Sequence, residues 1–398
     1  MVRMSHKRLF QKHIRVLHVV PALKAGGVEK DVLQLTAFLA QQPFVRVYLA
    51  SSTHHKDCAT PVPSRQYAHL PLQHKNPLRL LLNALALKRF VQEHDINLIH
   101  THSRGPAWSC YLASFLTGVP WIATYHALYG HQNALKRFYN KVMLRANATI
   151  AISKTVLQHI QTVYRDTACL ERACLKCIPR GINTAFFSPS APFKPLDAQK
   201  TLGLPPKTQV LLVPGRASFI KGQLQVLKAL KQLDIHKTHP NLKVILLGAQ
   251  TDSPYTQKLK AYCQQHHLAK TVLLLPFAQD PRPFYQLADL MAVPTQKPEG
   301  FGRVIAEAGA MQLPVLAFNE GGAQEILLNA QTGLLVPPLE LAKGLHRLIA
   351  LSPTQRERMG QKARKRIETH FNEEACRQRT LALYQTVLRT ATKAATKT

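Results

Sequence analysis

Apolar runs of four or five residues recur through the second half of this chain, and a helix-like pattern separates each run from the next. The runs occupy residues 209–213, 243–247, 271–275, 290–293 and 315–318. Regular alternation of strands and helices predicts a parallel sheet that is covered by helices on both faces. This half of the chain is therefore expected to fold as an α/β domain.

The first half of the chain shows the same order of strand, loop and helix. An apolar run at 14–20 precedes a glycine pair and an amphipathic helix, and further strands are predicted at 97–100 and 120–126. Because 398 residues exceed one common α/β core, we predict two domains. The predicted division is a first domain at 1–187, a Pro-rich linker at 188–206, a second domain at 207–370, and a C-terminal helix with a flexible tail at 371–398.

The chain is strongly basic, with 52 Lys and Arg against 21 Asp and Glu and a formal net charge of +31. Such an excess predicts anionic partners, namely nucleic acid, an acidic membrane surface or a phosphorylated substrate. A predicted helix at 134–147 carries Arg137, Lys141 and Arg145 four residues apart, beside Lys136. We interpret this basic stripe either as a solvated face or as a contact for anionic lipid or a phosphorylated acceptor.

No apolar run reaches the roughly 20 residues that a membrane-spanning helix needs, and the run near the N-terminus contains Arg15 and His18. We therefore expect a cytoplasmic chain without a signal peptide. The seven cysteines are expected to be reduced thiols. Cys169, Cys174 and Cys177 have a spacing found in some iron–sulfur proteins, but a fourth ligand would lie far away in sequence, so incidental thiols are favoured.

Two glutamates eight positions apart, Glu299 and Glu307, bracket a Gly-rich turn that opens a predicted helix. Gly300 and Gly302 would let the backbone approach a ligand closely, and the two carboxylates could accept hydrogen bonds from separate hydroxyls. Free backbone N–H groups at the start of this helix would face an anion; they belong to Phe301, Gly302 and Arg303. The alternative is an ordinary capped helix between two strands.

A second glycine-rich turn lies upstream, where the strand at 209–213 becomes a helix. Gly215, Arg216, Lys221 and Gly222 cluster there. In an open α/β sheet, anionic ligands bind outside the carboxyl ends of the strands. Two cations at this position therefore indicate a phosphate-binding loop.

Both turns resemble the signature of the retaining GT-B glycosyltransferases of family 4, including bacterial members that build lipopolysaccharide and surface polysaccharide, and the resemblance covers nearly the whole chain. It implies two Rossmann-like domains facing across a cleft, with the last helix crossing back to the first domain. It also implies that Gly215, Arg216 and Lys221 grip the donor diphosphate, while Glu299 holds the transferred sugar and Glu307 the ribose.

The resemblance assigns further residues at the ends of predicted strands. It places Gly26 and Gly27 near the donor phosphates, although a plain tight turn is the alternative. It places Gly248 and Phe277 at the nucleotide base, largely through their backbone, and His126 near the transferred sugar. By itself, a lone histidine such as His126 is more often structural than catalytic.

The loop that follows the strand at 97–100 contains His102 and Arg104. These two residues either contact an acceptor or a phosphate, or they cap the following helix at the surface.

A dinucleotide-dehydrogenase site is not indicated. The first strand lacks a G-x-G-x-x-G turn, and the second strand runs into Ser51, Ser52 and Thr53 without an acidic residue.

Asp-x-Asp, the metal-binding motif of the other large glycosyltransferase class, occurs nowhere in the chain. Arg216 and Lys221, with the backbone N–H groups near Gly27 and Phe301, are suited to stabilising a departing diphosphate. We therefore expect no metal and no cofactor. No carboxylate near His126 suggests itself as a nucleophile, and the resemblance implies a same-face reaction in which the leaving phosphate helps to deprotonate the acceptor.

The leading hypothesis is a membrane-peripheral hexosyl- or N-acetylhexosaminyltransferase that uses a UDP-, GDP- or ADP-sugar and a lipid-linked or lipopolysaccharide-type acceptor. A sugar-nucleotide epimerase on the same architecture is one alternative, and a phosphorylase, which needs a pyridoxal Lys and normally a longer chain, is another. A non-enzymatic nucleic-acid-binding protein would explain the charge, but aromatic-interleaved basic motifs are lacking.

Overall fold

The structure is a computed structural model and describes residues 13–23, 26–57, 59–74, 76–249 and 253–395. The chain divides into two compact units. Unit 1 comprises residues 1–179 and 376–398, and unit 2 comprises residues 180–375. Residues 180–187 were predicted to end the first domain, but they group with unit 2. The predicted linker at 188–206 also belongs to unit 2 and contains a short helix, α7 (Ala198–Leu202).

Unit 1 contains a parallel sheet, and its described part has seven strands. They are β1 (Ile14–Val19), β2 (Val45–Ser51), β3 (Tyr67–His69), β4 (Leu98–Thr101), β5 (Trp121–Tyr125), β6 (Ala148–Ala151) and β7 (Leu175–Cys177). Their spatial order is β3-β2-β1-β4-β5-β6-β7. The chain order reverses between β1 and β4, so the loops after these two strands lie at a topological switch point.

The helices of unit 1 connect these strands. They are α1 (Gly27–Ala40), α2 (Pro77–Glu93), α3 (Arg104–Thr117), α4 (Ala134–Lys141), α5 (Lys154–Tyr164) and α6 (Ala168–Arg172). Ser153 is the N-cap of α5, since its Oγ accepts a hydrogen bond from the backbone N–H of Val156 at 3.0 Å. The helix predicted at 134–147 is shorter, because a 3₁₀ turn (Val142–Arg145) replaces its second half.

Unit 2 contains a second parallel sheet with six described strands. They are β8 (Gln209–Pro214), β9 (Leu242–Leu247), β10 (Val272–Leu275), β11 (Leu290–Val293), β12 (Val315–Phe318) and β13 (Leu334–Val336). Their order is β10-β9-β8-β11-β12-β13, which puts the switch point between β8 and β11. The predicted α/β class with two Rossmann-like parallel sheets is therefore confirmed.

The remaining helices cover the second sheet and end the chain. They are α8 (Gln223–Gln232), α9 (Ile235–Thr238), α10 (Pro254–Gln265), α11 (Arg282–Leu287), α12 (Arg303–Ala310), α13 (Ala323–Ile326), α14 (Leu341–Ile349), α15 (Pro353–His370) and α16 (Glu373–Ala395). Helix α16 continues to Ala395, within the segment where a flexible tail was predicted. None of the described helices is both long and apolar enough to span a bilayer.

Each unit has its own apolar core, and the core of unit 1 includes the last helix. Leu381, Leu383, Tyr384 and Val387 of α16 are buried among side chains of the first sheet. The last strand of unit 1, β7, ends at Cys177, and Ile182 makes only an isolated bridge to Asn372. The chain therefore leaves unit 1 as an irregular segment.

Candidate functional site

The two Gly-rich loops of unit 2 lie side by side at its switch point. One follows β8 and the other follows β11, and the backbone N–H of Gln296 donates to the carbonyl of Ile220 at 2.7 Å. Gly222 has φ +72°, and a Cβ at this position would lie 2.0 Å from the carbonyl oxygen of Pro294. A glycine is therefore required where the loops meet.

A buried glutamine holds the first loop in shape. The Gln223 side chain donates from Nε2 to the carbonyl oxygen of Gly215 at 2.9 Å, and its Oε1 accepts from the backbone N–H of Ser218 at 3.4 Å. Gln223 is the first residue of α8, and nothing in the sequence singled it out. Its amide satisfies backbone groups that the sharp turn leaves without helix or sheet partners.

The ammonium of Lys221 forms an ion pair with the carboxylate of Glu299. Both side chains are about one-third exposed, at 29% and 31%. The sequence-based interpretation gave them separate ligand groups, a phosphate and a sugar. The structure instead brings them into direct contact, so that each holds the other in position beside the loop.

Glu307 is buried, and each of its carboxylate oxygens already accepts a hydrogen bond. Oε1 accepts from Arg303 Nε at 2.8 Å, and Oε2 accepts from the hydroxyl of Tyr285 at 3.1 Å. Burial, followed by the charge of Glu307, raises the pKa of Tyr285 well above its usual value. Because a carboxylate offers about four lone-pair sites, Glu307 keeps capacity for a ligand hydroxyl.

The remaining predicted residues of unit 2 differ in how much side chain they expose. Arg216 is exposed. Phe277 is 72% exposed, whereas Phe301 is buried and packs edge-on against Phe371 at 5.7 Å. Only the backbone of Phe301 can therefore face a ligand, as the sequence suggested.

The start of α12 offers backbone donors. Gly302 occupies the N-cap position with φ +93°, and no side chain caps this helix end. Gly300 lies in the loop just before it. Helix α12 therefore presents N–H groups and the positive end of its dipole at the carboxyl end of β11. Gly248, which follows β9, accepts from the backbone N–H of Ala217 at 3.0 Å and ties this neighbouring loop to the first one.

A small pocket at the carboxyl ends of β11 and β12 is lined by Thr295, Lys297, Glu299, Gly302 and Glu320, among others. The hydroxyl oxygen of Thr295 is buried there and has no hydrogen-bond partner within the described residues. A buried hydroxyl without a partner is costly. Sequence reasoning did not identify Thr295.

In unit 1, His126 follows β5 and contacts a buried group of imidazoles. Its Nε2 lies 3.3 Å from Nδ1 of His102, and Nε2 of His102 lies 2.7 Å from Nδ1 of His18. Burial lowers the pKa of His18 to about 3 and lowers the pKa of His102 well below its usual value. His18 and His102 are therefore neutral at pH 7, and the predicted candidate His126 lies at the end of this chain.

The other candidates of unit 1 have different surroundings. Gly26 is the N-cap of α1, which begins at Gly27, and residues 24 and 25 lie outside the described part of the chain. His102 is not a surface cap, because it is buried; Ser103 caps α3 instead. The guanidinium of Arg104 lies 5.0 Å from the centroid of the Tyr129 ring.

No metal-ligand geometry links Cys169, Cys174 and Cys177. Within the described residues, the only group of His, Cys, Asp or Glu side chains close enough to share an ion is His18, His100 and His102. An iron–sulfur cluster at the three cysteines has no support in this arrangement.

Two family models match the chain. The model described as glycosyltransferase family 4 matches residues 25–186, and the model described as glycosyl transferases group 1 matches residues 197–366. A D-inositol 3-phosphate glycosyltransferase of Xylanimonas cellulosilytica is 26% identical over 364 residues, with 85% of this chain and 83% of the relative covered. The capsular polysaccharide biosynthesis glycosyltransferase CapM of Staphylococcus aureus is 29% identical over 153 residues, with 37% of this chain and 39% of CapM covered.

Solved structures are also similar to this chain. A glycosyltransferase of Rickettsia africae superposes with a TM-score of 0.82 at 26% identity, covering 94% of this chain and 98% of the other. HepE of Anabaena, solved with UDP and glucose, superposes with a TM-score of 0.76 at 20% identity, covering 94% and 100%. The second similarity concerns the fold alone.

Proposed function

Because the chain is a glycosyltransferase of the family 4 and group 1 type with a GT-B fold, we propose that it transfers a hexose or N-acetylhexosamine from a nucleotide-diphosphate sugar, with retention at the anomeric carbon. The acceptor in this proposal is a lipid-linked or lipopolysaccharide-type glycan. The observation that carries the proposal is the meeting of the two loops at the β8–β11 switch point, where Lys221 contacts Glu299.

The donor diphosphate would lie against the loop after β8 and the start of α12. Arg216 supplies a planar guanidinium that can bind two phosphate oxygens at once, and Lys221 supplies a compact charge. The backbone N–H groups at the start of α12 add further donors, since no side chain caps this helix end. These groups would stabilise the charge that develops on the departing diphosphate, so the proposed reaction requires no divalent metal.

The sugar and the nucleoside would be held by the two glutamates. Glu299 keeps lone pairs for sugar hydroxyls while Lys221 orients its carboxylate, and Glu307 accepts from the ribose while Arg303 and Tyr285 hold it in place. The exposed ring of Phe277 offers a face on which a base can stack. UDP is the first nucleotide to test, because HepE was solved with UDP.

The experiment is thermal unfolding of the full chain with UDP, GDP and ADP, each with and without EDTA. A ligand at a hundred times its dissociation constant should add about 2.7 kcal/mol of stability. One nucleotide is expected to raise the unfolding temperature. This increase should persist in the presence of EDTA and should be lost in Arg216→Ala. Arg358→Ala is the matched control, because Arg358 is an exposed arginine of unit 2 that lies on α15 and belongs to neither loop.

Two outcomes would contradict the donor assignment. If none of the three nucleotides shifts the unfolding temperature, the loops after β8 and β11 are not a nucleotide site. If the Arg216→Ala and Arg358→Ala variants respond equally to the bound nucleotide, Arg216 does not hold the diphosphate. Formation of an isomerised sugar nucleotide without any acceptor would instead identify an epimerase.

Membrane contact in this proposal is made by α4. Leu135 is 76% exposed and Phe138 is 55% exposed, and both lie among the basic residues Lys136, Arg137 and Lys141. Apolar side chains surrounded by cations suit an anionic lipid surface, where the rings enter the interface and the cations remain at the head groups. Arg145, the last residue of the basic stripe, binds within the protein: its guanidinium donates to the hydroxyl of Tyr111 at 3.0 Å.

Co-sedimentation with vesicles tests this contact. The full chain should bind phosphatidylglycerol–phosphatidylcholine vesicles more tightly than pure phosphatidylcholine, and Leu135→Ser with Phe138→Ser should lower the bound fraction. Leu339→Ser is the control, because Leu339 is a fully exposed leucine of unit 2. Equal binding by the double variant and the wild type would exclude α4 as the membrane contact.

A further inference from the structure

Four histidines of unit 1 lie together at the carboxyl ends of β1, β4 and β5. His18 is on β1, His100 is on β4, and His102 and His126 follow β4 and β5. Three of them, His18, His100 and His102, are buried. Donor-to-acceptor distances of 2.7 Å and 3.3 Å connect His18 to His102 and His102 to His126, so the three rings form one continuous hydrogen-bonded chain.

A metal ion does not fit these nitrogen positions well, although ligand atoms of His18, His100 and His102 lie within 4.8 Å of one another. Both nitrogens of His100 already have partners, the hydroxyl of Tyr384 at 2.5 Å and that of Thr124 at 2.7 Å. Two nitrogens on one tetrahedral zinc would be about 3.3 Å apart. The separation of 2.7 Å between His18 and His102 is instead that of a hydrogen bond.

The chain of rings limits where the protons can be. A neutral imidazole carries one N–H and one lone pair, and both nitrogens of His102 are used in the chain. If His18 donates from Nδ1, His102 must donate from its own Nδ1, and Nε2 of His126 must accept. In the opposite arrangement, His126 donates from Nε2 to His102, and His102 donates from Nε2 to Nδ1 of His18. His18 then carries its own proton on Nε2.

The inner end of the chain decides between these two arrangements. Nε2 of His18 is buried and has no hydrogen-bond partner within the described residues. If the protons run from His126 toward His18, Nε2 of His18 is a buried N–H without an acceptor. If His18 donates to His102 instead, Nε2 of His18 carries only a lone pair. Orphaned buried N–H groups are the rarer case in proteins. The protons are therefore directed from the core toward His126.

We propose that His18 and His102 are positioning residues that hold His126 in the tautomer with its proton on Nδ1. His126 then acts at Nδ1 as a hydrogen-bond donor and not as a general base. The ligand group that this nitrogen would take is an oxygen acceptor, such as a sugar hydroxyl or a phosphate oxygen. The identity of that ligand rests on the proposed function, but the tautomer does not.

Long-range ¹H–¹⁵N spectra of the full chain labelled at histidine report each tautomer directly, with His126→Gln used to assign the His126 signals. The expected result is a protonated Nδ1 and a bare Nε2 on His126 at neutral pH. A protonated Nε2 on His126 would overturn the proposal. The wild-type spectrum gives this answer even if no variant folds and even if no transferase activity is found.

Two variants test the role of His18. His18→Asn keeps an N–H donor near the position of Nδ1 and should preserve the tautomer, whereas His18→Leu removes that donor and should give a mixture of tautomers. Loss of this single hydrogen bond should lower the turnover number about fivefold. Equal spectra for the two variants, or stoichiometric Co²⁺ binding that His18→Leu abolishes, would contradict the assignment.

Discussion

Lys221 and Glu299 are 78 residues apart in sequence, yet their side chains form an ion pair between the loops that follow β8 and β11. The pair links the group proposed for the diphosphate to the group proposed for the sugar. Since both side chains are partly exposed, the pair by itself adds little to stability. Its importance lies in the position that each charged group imposes on the other.

Replacing Glu299 by Gln keeps the size of the side chain and removes its charge. Lys221 then loses its ionic partner but keeps its own charge for the diphosphate, so nucleotide affinity should stay the same or rise. Transfer should fall by roughly 10- to 100-fold, because a hydrogen bond to a charged group contributes about 1.5–3 kcal/mol. Calorimetric binding of the nucleotide and the turnover number separate the two effects. Unchanged turnover would rule out a role for Glu299 at the sugar.

Gly222→Ala should destabilise unit 2 strongly, because the new Cβ would lie 2.0 Å from a backbone carbonyl oxygen that cannot move independently. Gly203→Ala is a matched control, since Gly203 has a similar φ of +63° but nothing within 4 Å of the added Cβ. The control should cost about 1 kcal/mol in backbone strain, and Gly222→Ala about 1–3 kcal/mol more. Urea unfolding of both variants measures the difference. Equal losses in the free energy of unfolding of the two variants would show that the two loops separate without cost.

Tyr285→Phe removes the buried hydroxyl that donates to Glu307. The carboxylate keeps Arg303 as a partner but loses one of its two fixed hydrogen bonds, so the free energy of unfolding should fall by about 1–2 kcal/mol. Nucleotide affinity should fall as well if Glu307 binds the ribose. Tyr48→Phe is the control, because the hydroxyl of Tyr48 makes no hydrogen bond with a described residue. Matching losses in the two variants would argue against the Tyr285 contact.

The buried imidazoles predict acid sensitivity of unit 1. Burial lowers the pKa of His18 from 6.5 to about 3, and the pKa values of His100 and His102 are lowered in the same direction. The unfolded chain therefore binds more protons below pH 6.5, so stability falls as the pH drops from 6.5 toward 3. With a folded-state pKa of about 3, His18 contributes about 2 kcal/mol of this loss between pH 7 and pH 5, and His100 and His102 act in the same direction.

Urea unfolding at pH 7 and pH 5 measures this loss, and His18→Asn provides the comparison. The variant lacks one titrating group, so its stability should depend less steeply on pH than that of the wild type. Equal stability of the wild-type protein at the two pH values would show that these imidazoles are not buried in solution.

The fold was largely predictable because strand and helix periodicity is local. All five strands predicted in the second half occur within one residue of their expected ends. Strand β3 was missed because Tyr67–His69 is only three residues long and has no alternating pattern. The boundary near 187 was set too late, because the Pro-rich composition there suggested a linker while residues 180–187 pack within unit 2.

The sequence by itself determined the α/β class and the positions of the two Gly-rich turns, because both follow from neighbouring residues and from what glycine permits. Only the tertiary structure decided the contacts of Lys221 with Glu299, Tyr285 with Glu307, and His18 with His102. These partners are separated by 22 to 84 residues. Lys221 meets Glu299 because the order of the strands places β8 beside β11, and His18 meets His102 because it places β1 beside β4; no local pattern encodes that order.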